Sequence, residues 1–277
     1  MCIRNWPDLH EDSGIIFENH LLHDRDYMLS IKRQRKYIRK IKKEAAWQLK
    51  KVAGPSSAED LHRFRVSIKK IRSFEAFPNL SKGKKHMQPL KKIFTQSGNI
   101  RDIHNANLME QDHFALSPVI KNKRLWEFNS AYQKFASRAA DYQECFLKEL
   151  EYLNKKTNSV SFHAIEDHFK KELTIISNCL AKNNAENLHP CRKRLKNLLY
   201  LYHVLSKSLQ KKLNIRIDYI DQLQDLIGKW HDIEFAEPIL KKRINSTQIL
   251  IITREKENLL KKIRITSENF FNKTKVL

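Results

Sequence analysis

A chain of 277 residues with 41% hydrophobic side chains can bury a core of its own, and with only 5 glycines and 7 prolines it is too poor in turn formers for a sandwich or barrel. Its 53 lysines and arginines against 31 aspartates and glutamates give a formal charge of +22, which draws nucleic acid, anionic lipid or polymeric phosphate and names a class of partner rather than a molecule. The four cysteines lack metal-ligand spacing, the N-terminus has no apolar leader region, and the longest aliphatic run, Ile249 to Ile252, is too short to span a bilayer, so disulfides, export and membrane insertion are not expected and a reduced cytosol is.

In chain order, residues 1–25 have weak periodicity and scattered histidines (His10, His20, His23) and read as an irregular arm. From Tyr27 onward Ile31, Ile38, Ile41, Ala45, Leu49 and Val52 recur at helical spacing, and Gly54-Pro55-Ser56-Ser57 ends that helix and caps the next, expected over 58–77. Pro78 and the segment around Gly83 precede a third helix over 84–113, which Gly98 is expected to bend or break, and Ser117-Pro118 precedes a fourth over 121–155. The pattern restarts with helices over 160–183, 187–211, 214–241 and 247–274, the third again interrupted by a glycine, Gly228. The expectation is an all-α protein of two tandem four-helix bundles, residues 26–157 and 158–277, related by a pseudo-two-fold axis.

The charged residues keep register with this frame. In the second helix Leu61, Phe64, Ile68 and Ile71 form the core stripe, and His62, Arg65, Lys69 and Arg72 repeat its spacing one residue later, about 100° around the helix. Like charges so aligned repel by about 0.7 kcal/mol per pair at roughly 6 Å in water, a cost without return in an unliganded protein. Lys70 lies alongside. In the first helix Lys32, Arg35, Arg39 and Lys42 follow the apolar frame in the same way, within a stretch of eight basic and no acidic residues between Tyr27 and Lys43. In the second half His189, Arg192 and Lys196 reproduce the spacing of His62, Arg65 and Lys69, with Lys193 and Arg194 alongside. Gly98-Asn99-Ile100-Arg101-Asp102-Ile103 likewise aligns with Gly228-Lys229-Trp230-His231-Asp232-Ile233. Two motifs in the same order, twice, define an internal repeat.

These residues carry a resemblance. From about residue 26 to the C-terminus the chain resembles a CHAD domain, the histidine-containing helical family of polyphosphate-binding modules. Its first helix motif stands here as His62 to Arg72 and its glycine-arginine-aspartate turn as Gly98 to Asp102, with second-half counterparts at His189 to Tyr200 and Leu226 to Asp232. The sequence departs from the family at Leu199, where a basic residue is usual, and at His104, where an acidic one is. The resemblance implies two four-helix bundles sharing a basic central cavity or groove through which a phosphate polymer runs.

The expected polyphosphate ligands are therefore His62, Arg65, Lys69, Lys70, Arg72, Arg101, His189, Arg192, Lys193 and Lys196. Lys32, Arg35, Arg39, Lys42, Tyr200 and His231 form a second rank, Tyr200 reading first as helix packing. Asp102 and Asp232 read as carboxylates that position a neighbouring cation. Arginine forks take phosphate oxygens bidentately and lysine supplies a mobile charge. Histidines beside a polyanion gain protons, so binding is expected to tighten as pH falls toward 6. The expected function is non-catalytic binding of inorganic polyphosphate, with no cofactor or metal, in the cytosol and at polyphosphate granules where these exist. Nucleic acid is the alternative partner, although the basic repeats lack interleaved aromatics for stacking on bases. A metal-dependent phosphohydrolase ranks third, since His231-Asp232 alone is a poor metal cage.

Overall fold

The computed structural model describes residues 28–54, 58–77, 88–113, 118–182, 184–241 and 246–275. The expected arm at 1–25, the turn residues 55–57 and the connections containing Pro78, Gly83 and Ser117 lie outside them. The described chain is all-helical apart from two short paired strands, β1 (Met28–Leu29) and β2 (Val160–Ser161). They run antiparallel with Met28 opposite Ser161 and Leu29 opposite Val160, a pairing the sequence pattern did not predict.

Each strand feeds a helix. Ser30 opens α1 (Ile31–Val52) by accepting the Arg33 N–H on its hydroxyl, and Ser161 opens α6 (Phe162–Ala181) by accepting that of Ala164, both at 3.3 Å. In α1 the residues Ile38, Ile41, Ala45, Leu49 and Val52 are buried, as the apolar spacing requires. Between them lie α2 (Ala58–Glu75), with Glu59 and Asp60 at its positive end, then α3 (Gln88–His113), α4 (Pro118–Ala136) and α5 (Ala139–Lys155). The second half continues with α7 (Ala185–Tyr202), α8 (Lys207–Leu213), α9 (Ile217–Leu240), α10 (Ser246–Ser267) and α11 (Phe270–Lys273).

Four expected helices differ in the structure. Gly98 does not break α3 into two elements, because an interior glycine costs a helix only about 1 kcal/mol and Ile93 and Ile100 are buried on either side of it. The helix expected over 121–155 divides at Ser137-Arg138, where the Ser137 hydroxyl donates to the Lys134 carbonyl and competes with the ladder. The helix expected over 187–211 stops at Tyr202. Arg33 reaches across from α1 and donates through Nε to the Val204 carbonyl and through Nη2 to that of Leu205, both at 2.8 Å, so the turn is fixed by groups from the other half. The last helix ends at Ser267, and Asn269 then takes the left-handed conformation (φ 52°) that an asparagine tolerates. The strict four-helix count thus becomes α1–α5 and α6–α11 among the described residues.

The two halves meet through α2 and α7 and, beyond them, through α3 and α9. Phe64, Ile68, Ile71 and Phe74 of α2 and Leu195 and Leu198 of α7 are all at most 1% exposed, so the meeting helices are anchored in apolar core on their inner faces. Across the contact Ser73 Oγ donates to Asn197 Oδ1 at 2.8 Å. At the other end fully buried Gln34 donates through Nε2 to the carbonyls of Leu29 (3.1 Å) and Asn158 (2.6 Å), fastening β1 to the segment that joins the halves. Gln34→Leu keeps the volume but strands two carbonyls; urea denaturation should show a loss of about 1–3 kcal/mol with little change in helix content by circular dichroism.

Candidate functional site

The site follows from how α2 meets α7. Because the apolar stripes turn toward the core, the flanks one residue later face the junction. Arg65 and Lys69 come to it from α2, Arg192, Lys196 and Tyr200 from α7, Arg101 from α3, and His189 and His231 from α7 and α9.

Arg65 is the best anchored of these. Only 6% of it is exposed, its Nη1 donates to the Phe94 carbonyl and to Ser97 Oγ (3.0 Å), and its guanidinium carbon lies 4.1 Å from the centre of the Phe94 ring. Arg72 and Lys69 approach the same ring at 5.6 and 5.8 Å. Phe94 and Ser97 were not singled out from the sequence. Their signal was available only as position, four and one residues before Gly98.

The glycines explain themselves here. A Cβ on Gly98 would stand 3.0 Å from Arg65 Nη1 and 3.5 Å from Nη2; one on Gly228 would stand 2.8 Å from Arg192 Nη2 and 3.0 Å from Nε. Each glycine lets an arginine of the preceding motif lie flat against the helix backbone, so the two repeated motifs form one structural unit in each half. In register with Gly98 and Gly228, Phe94 corresponds to Gln224 and Ser97 to Ile227. Arg192 therefore has neither the aromatic ring nor the hydroxyl on which Arg65 rests. Nε of Arg65, Nε of Arg192 and Nδ1 of His189 are all buried without a partner.

Burial and charge crowding together set the electrostatics, with burial the larger cause at each group. Burial pushes Lys69 down to about 7, helped by Lys196, Arg101, Arg65 and Arg192. Burial with Arg192 and Arg101 lowers Lys196, opposed by Asp225 and Asp232. Burial and Arg101 bring Arg65 down to about 10 against the pull of Asp102, and burial with Arg101 lowers Arg192 against Asp232 and Asp225. Loss of solvent around its ring lowers His62, Glu59 opposing and Arg101, Lys69 and Lys196 assisting. His189 falls to about 4 through burial, Lys193, His231, Arg192 and Lys69; its ring stands edge-on to that of His231 with centroids 4.3 Å apart. Cationic and protonatable groups from both halves therefore share one neighbourhood, and the exposed Asp102 and Asp232 act on Arg65 and Arg192 by charge.

Other expected residues fall elsewhere. Lys70 pairs with Glu44 at 3.3 Å and, with Arg33, Lys36, Lys40, Tyr37 and Tyr200, lines a separate cavity of about 450 Å³ between α1 and α7. Arg72 and Lys193 are exposed at the margins. The α1 register is corrected: Arg35, Arg39 and Lys42 line a cavity of about 300 Å³ with Leu150, Glu151 and Asn154 of α5, and Lys32 is exposed. Because α1 packs against both α2 and α5, the flank after its apolar stripe faces α5, and Arg33, Lys36 and Lys40 face α7 instead. Tyr200 sits between the 450 Å³ cavity and the field of Arg192. Leu199 is a core residue, 8% exposed, and His104 packs on Phe128 with ring centroids 5.4 Å apart. Among the described residues no three histidines, cysteines, aspartates or glutamates converge as metal ligands, and no helix is long and apolar enough to cross a membrane.

The family model described as CHAD domain matches residues 35–241. No curated protein matches. A solved structure, the crystal structure of the CHAD domain from the plant Ricinus communis, superposes with a TM-score of 0.62 at 15% sequence identity, covering 86% of this chain and 91% of that one; at that identity the likeness concerns the fold.

Gly228→Ala tests the slot. Alanine is the better helix former by about 1 kcal/mol, and the atoms in its way are the mobile end of Arg192, so thermal melting should move little or rise. The displaced guanidinium should nonetheless weaken binding of a phosphate polyanion, measured by titration beside wild type.

Proposed function

The chain belongs to the CHAD domain family, and on that premise we propose that it binds inorganic polyphosphate and does not transform it. The observation that carries this reading is the crowding of Arg65, Lys69 and Arg101 against Arg192 and Lys196, which costs the free protein stability and is relieved by a ligand carrying dense negative charge. Internal units of polyphosphate offer one charge and two free oxygens each and no base, so charge density and oxygen geometry are all that recognition can use. The guanidinium forks of Arg65 and Arg192 are of the kind that take such oxygens in pairs. The same reading puts the protein in the cytosol, with polyphosphate granules as a place of action.

The decisive experiment is a competition titration of long-chain polyphosphate against single-stranded DNA and RNA of equal charge, at physiological salt. Polyphosphate should win. Each charge-assisted contact contributes about 1.5–3 kcal/mol, so reversing both arginines (Arg65→Glu with Arg192→Glu) should cost about 100-fold or more in affinity, while Lys273→Glu stays within about twofold. Nucleic acid binding as tightly as polyphosphate would transfer the function to a nucleic-acid reader. By analogy with single strands, log Kd should also rise with log salt at a slope near 0.7 per phosphate neutralised.

The pH dependence has a definite sign. Lys69 is held near 7 in the free protein, and an arriving polyanion raises that value, so binding takes up a proton. Proton uptake on binding means affinity falls as pH rises between the free and bound values, a window opening near pH 7 and running upward. His62 and His189, depressed in the free protein, act with the same sign at lower pH, and affinity should climb as pH falls toward 6. Lys69→Arg should abolish most of the fall above pH 7 and leave the histidine-linked rise below it, as read by titration calorimetry in buffers of different ionisation enthalpy.

A further inference from the structure

The cluster contains one amine unlike the other lysines around it. Lys70 is paired with Glu44, and Lys196 has the carboxylates of Asp225 and Asp232 sustaining its charge. Lys69 is half-buried, and the groups that act on it are all cations: Arg65 from its own helix, Arg101 from α3, and Arg192 and Lys196 from α7. His62 and His189 feel its charge in turn. Its Nζ lies over the same Phe94 ring that carries Arg65, which places the amine beside a guanidinium group with an unpartnered buried Nε.

Asp102 acts on Arg65, and Asp225 and Asp232 on Arg192 and Lys196, but the groups that act on Lys69 itself are cations, and such an amine beside arginines makes a site for a small phosphate whose other end is electrophilic. We propose that Lys69 is a modification site for acyl phosphates, the phosphate docking on Arg65, Arg101 and Arg192 with its acyl carbonyl against the Lys69 amine. This rests on the reading of the junction as a phosphate site and adds a reaction to it. The nitrogen lone pair attacks the acyl carbon and a C–N bond forms. The bond from that carbon to the phosphate oxygen breaks, its electron pair leaving on the oxygen, and the proton shed by nitrogen passes to the departing phosphate. The products are an amide and hydrogen phosphate, with no oxidant or further reactant. Depression of Lys69 to about 7 supplies the neutral amine this attack needs at ordinary pH. Acylation removes one cation from the centre of the cluster, so it also lowers polyanion affinity.

The test exposes the full chain briefly to acetyl phosphate near neutral pH and compares acetylation at Lys69 with that at exposed Lys50 and at Lys170, which is bonded to Glu166 at 2.9 Å, by quantitative peptide mass spectrometry. Lys69 should lead by about tenfold or more. Its lead should shrink with N-acetoxysuccinimide, an uncharged donor, and its rate should level off above about pH 8. Long-chain polyphosphate should protect it, and Lys69→Arg should remove the drop in polyphosphate affinity that acetyl phosphate treatment produces in the wild type, each protein being compared with its own untreated sample. Acetylation of Lys69 no faster than that of Lys50, in a protein that still binds polyphosphate, overturns this proposal and leaves the binding function standing. An equal lead with the neutral donor overturns it as well, because phosphate docking then plays no part. Selective acetylation by acetyl phosphate without polyphosphate binding or protection supports the modification site and removes the polymer as its ligand.

Discussion

Repulsion between cations on α2 and α7, held together by apolar packing that does not depend on them, is the constraint to which the rest of the structure answers. The inner faces of the two helices are buried through Phe64, Ile68 and Ile71 on one side and Leu195 and Leu198 on the other. With the backbones so fixed, Arg65, Lys69, Arg192 and Lys196 stay near one another, and each has its pKa lowered, by burial first and by neighbouring cations after it. Free energy that the core supplies is stored as crowding at the junction. The ties between the halves, Arg33 on the Val204 and Leu205 carbonyls, Ser73 on Asn197, and the β1–β2 pair, resist the separation that would relax it.

Much of this was legible in the sequence because helical periodicity is strong when glycine and proline are scarce. The apolar stripe of α2 fixed which residues were buried, and a basic series offset by one residue had to lie on its flank. Where two neighbours compete for a helix, that logic fails. In α1 the offset was the same, yet the flank carrying Arg35, Arg39 and Lys42 turned to α5, because periodicity tells which side is apolar and not which helix each flank will meet. Breaks made by tertiary partners were equally hidden: nothing near Tyr202 announces that an arginine 171 residues away from Val204 will take its carbonyl.

Glycine was read correctly in position and wrongly in purpose. Gly98 and Gly228 stand in register with basic-acidic pairs, and in a helical pattern each reads as an interruption. The continuous helices and the Cβ distances of 3.0 Å and 2.8 Å to the arginines give the physical reason, which is room. A one-dimensional pattern shows that a side chain is missing; it does not show what fills the gap.

The halves are alike in plan and unequal in grip. Arg65 is bonded to the Phe94 carbonyl and to Ser97 and rests on an aromatic ring, whereas Gln224 and Ile227 offer Arg192 neither ring nor hydroxyl and leave it held by the slot at Gly228 and by charge. A chain of identical phosphates has no direction, so it reads the same from either end, and any asymmetry in how it is held must come from the protein. A polymer lying across this junction would meet one rigid jaw and one compliant one. With more contacts bracing Arg65 than Arg192, it would begin to peel from the α7 side, giving a directionless molecule a preferred edge of release.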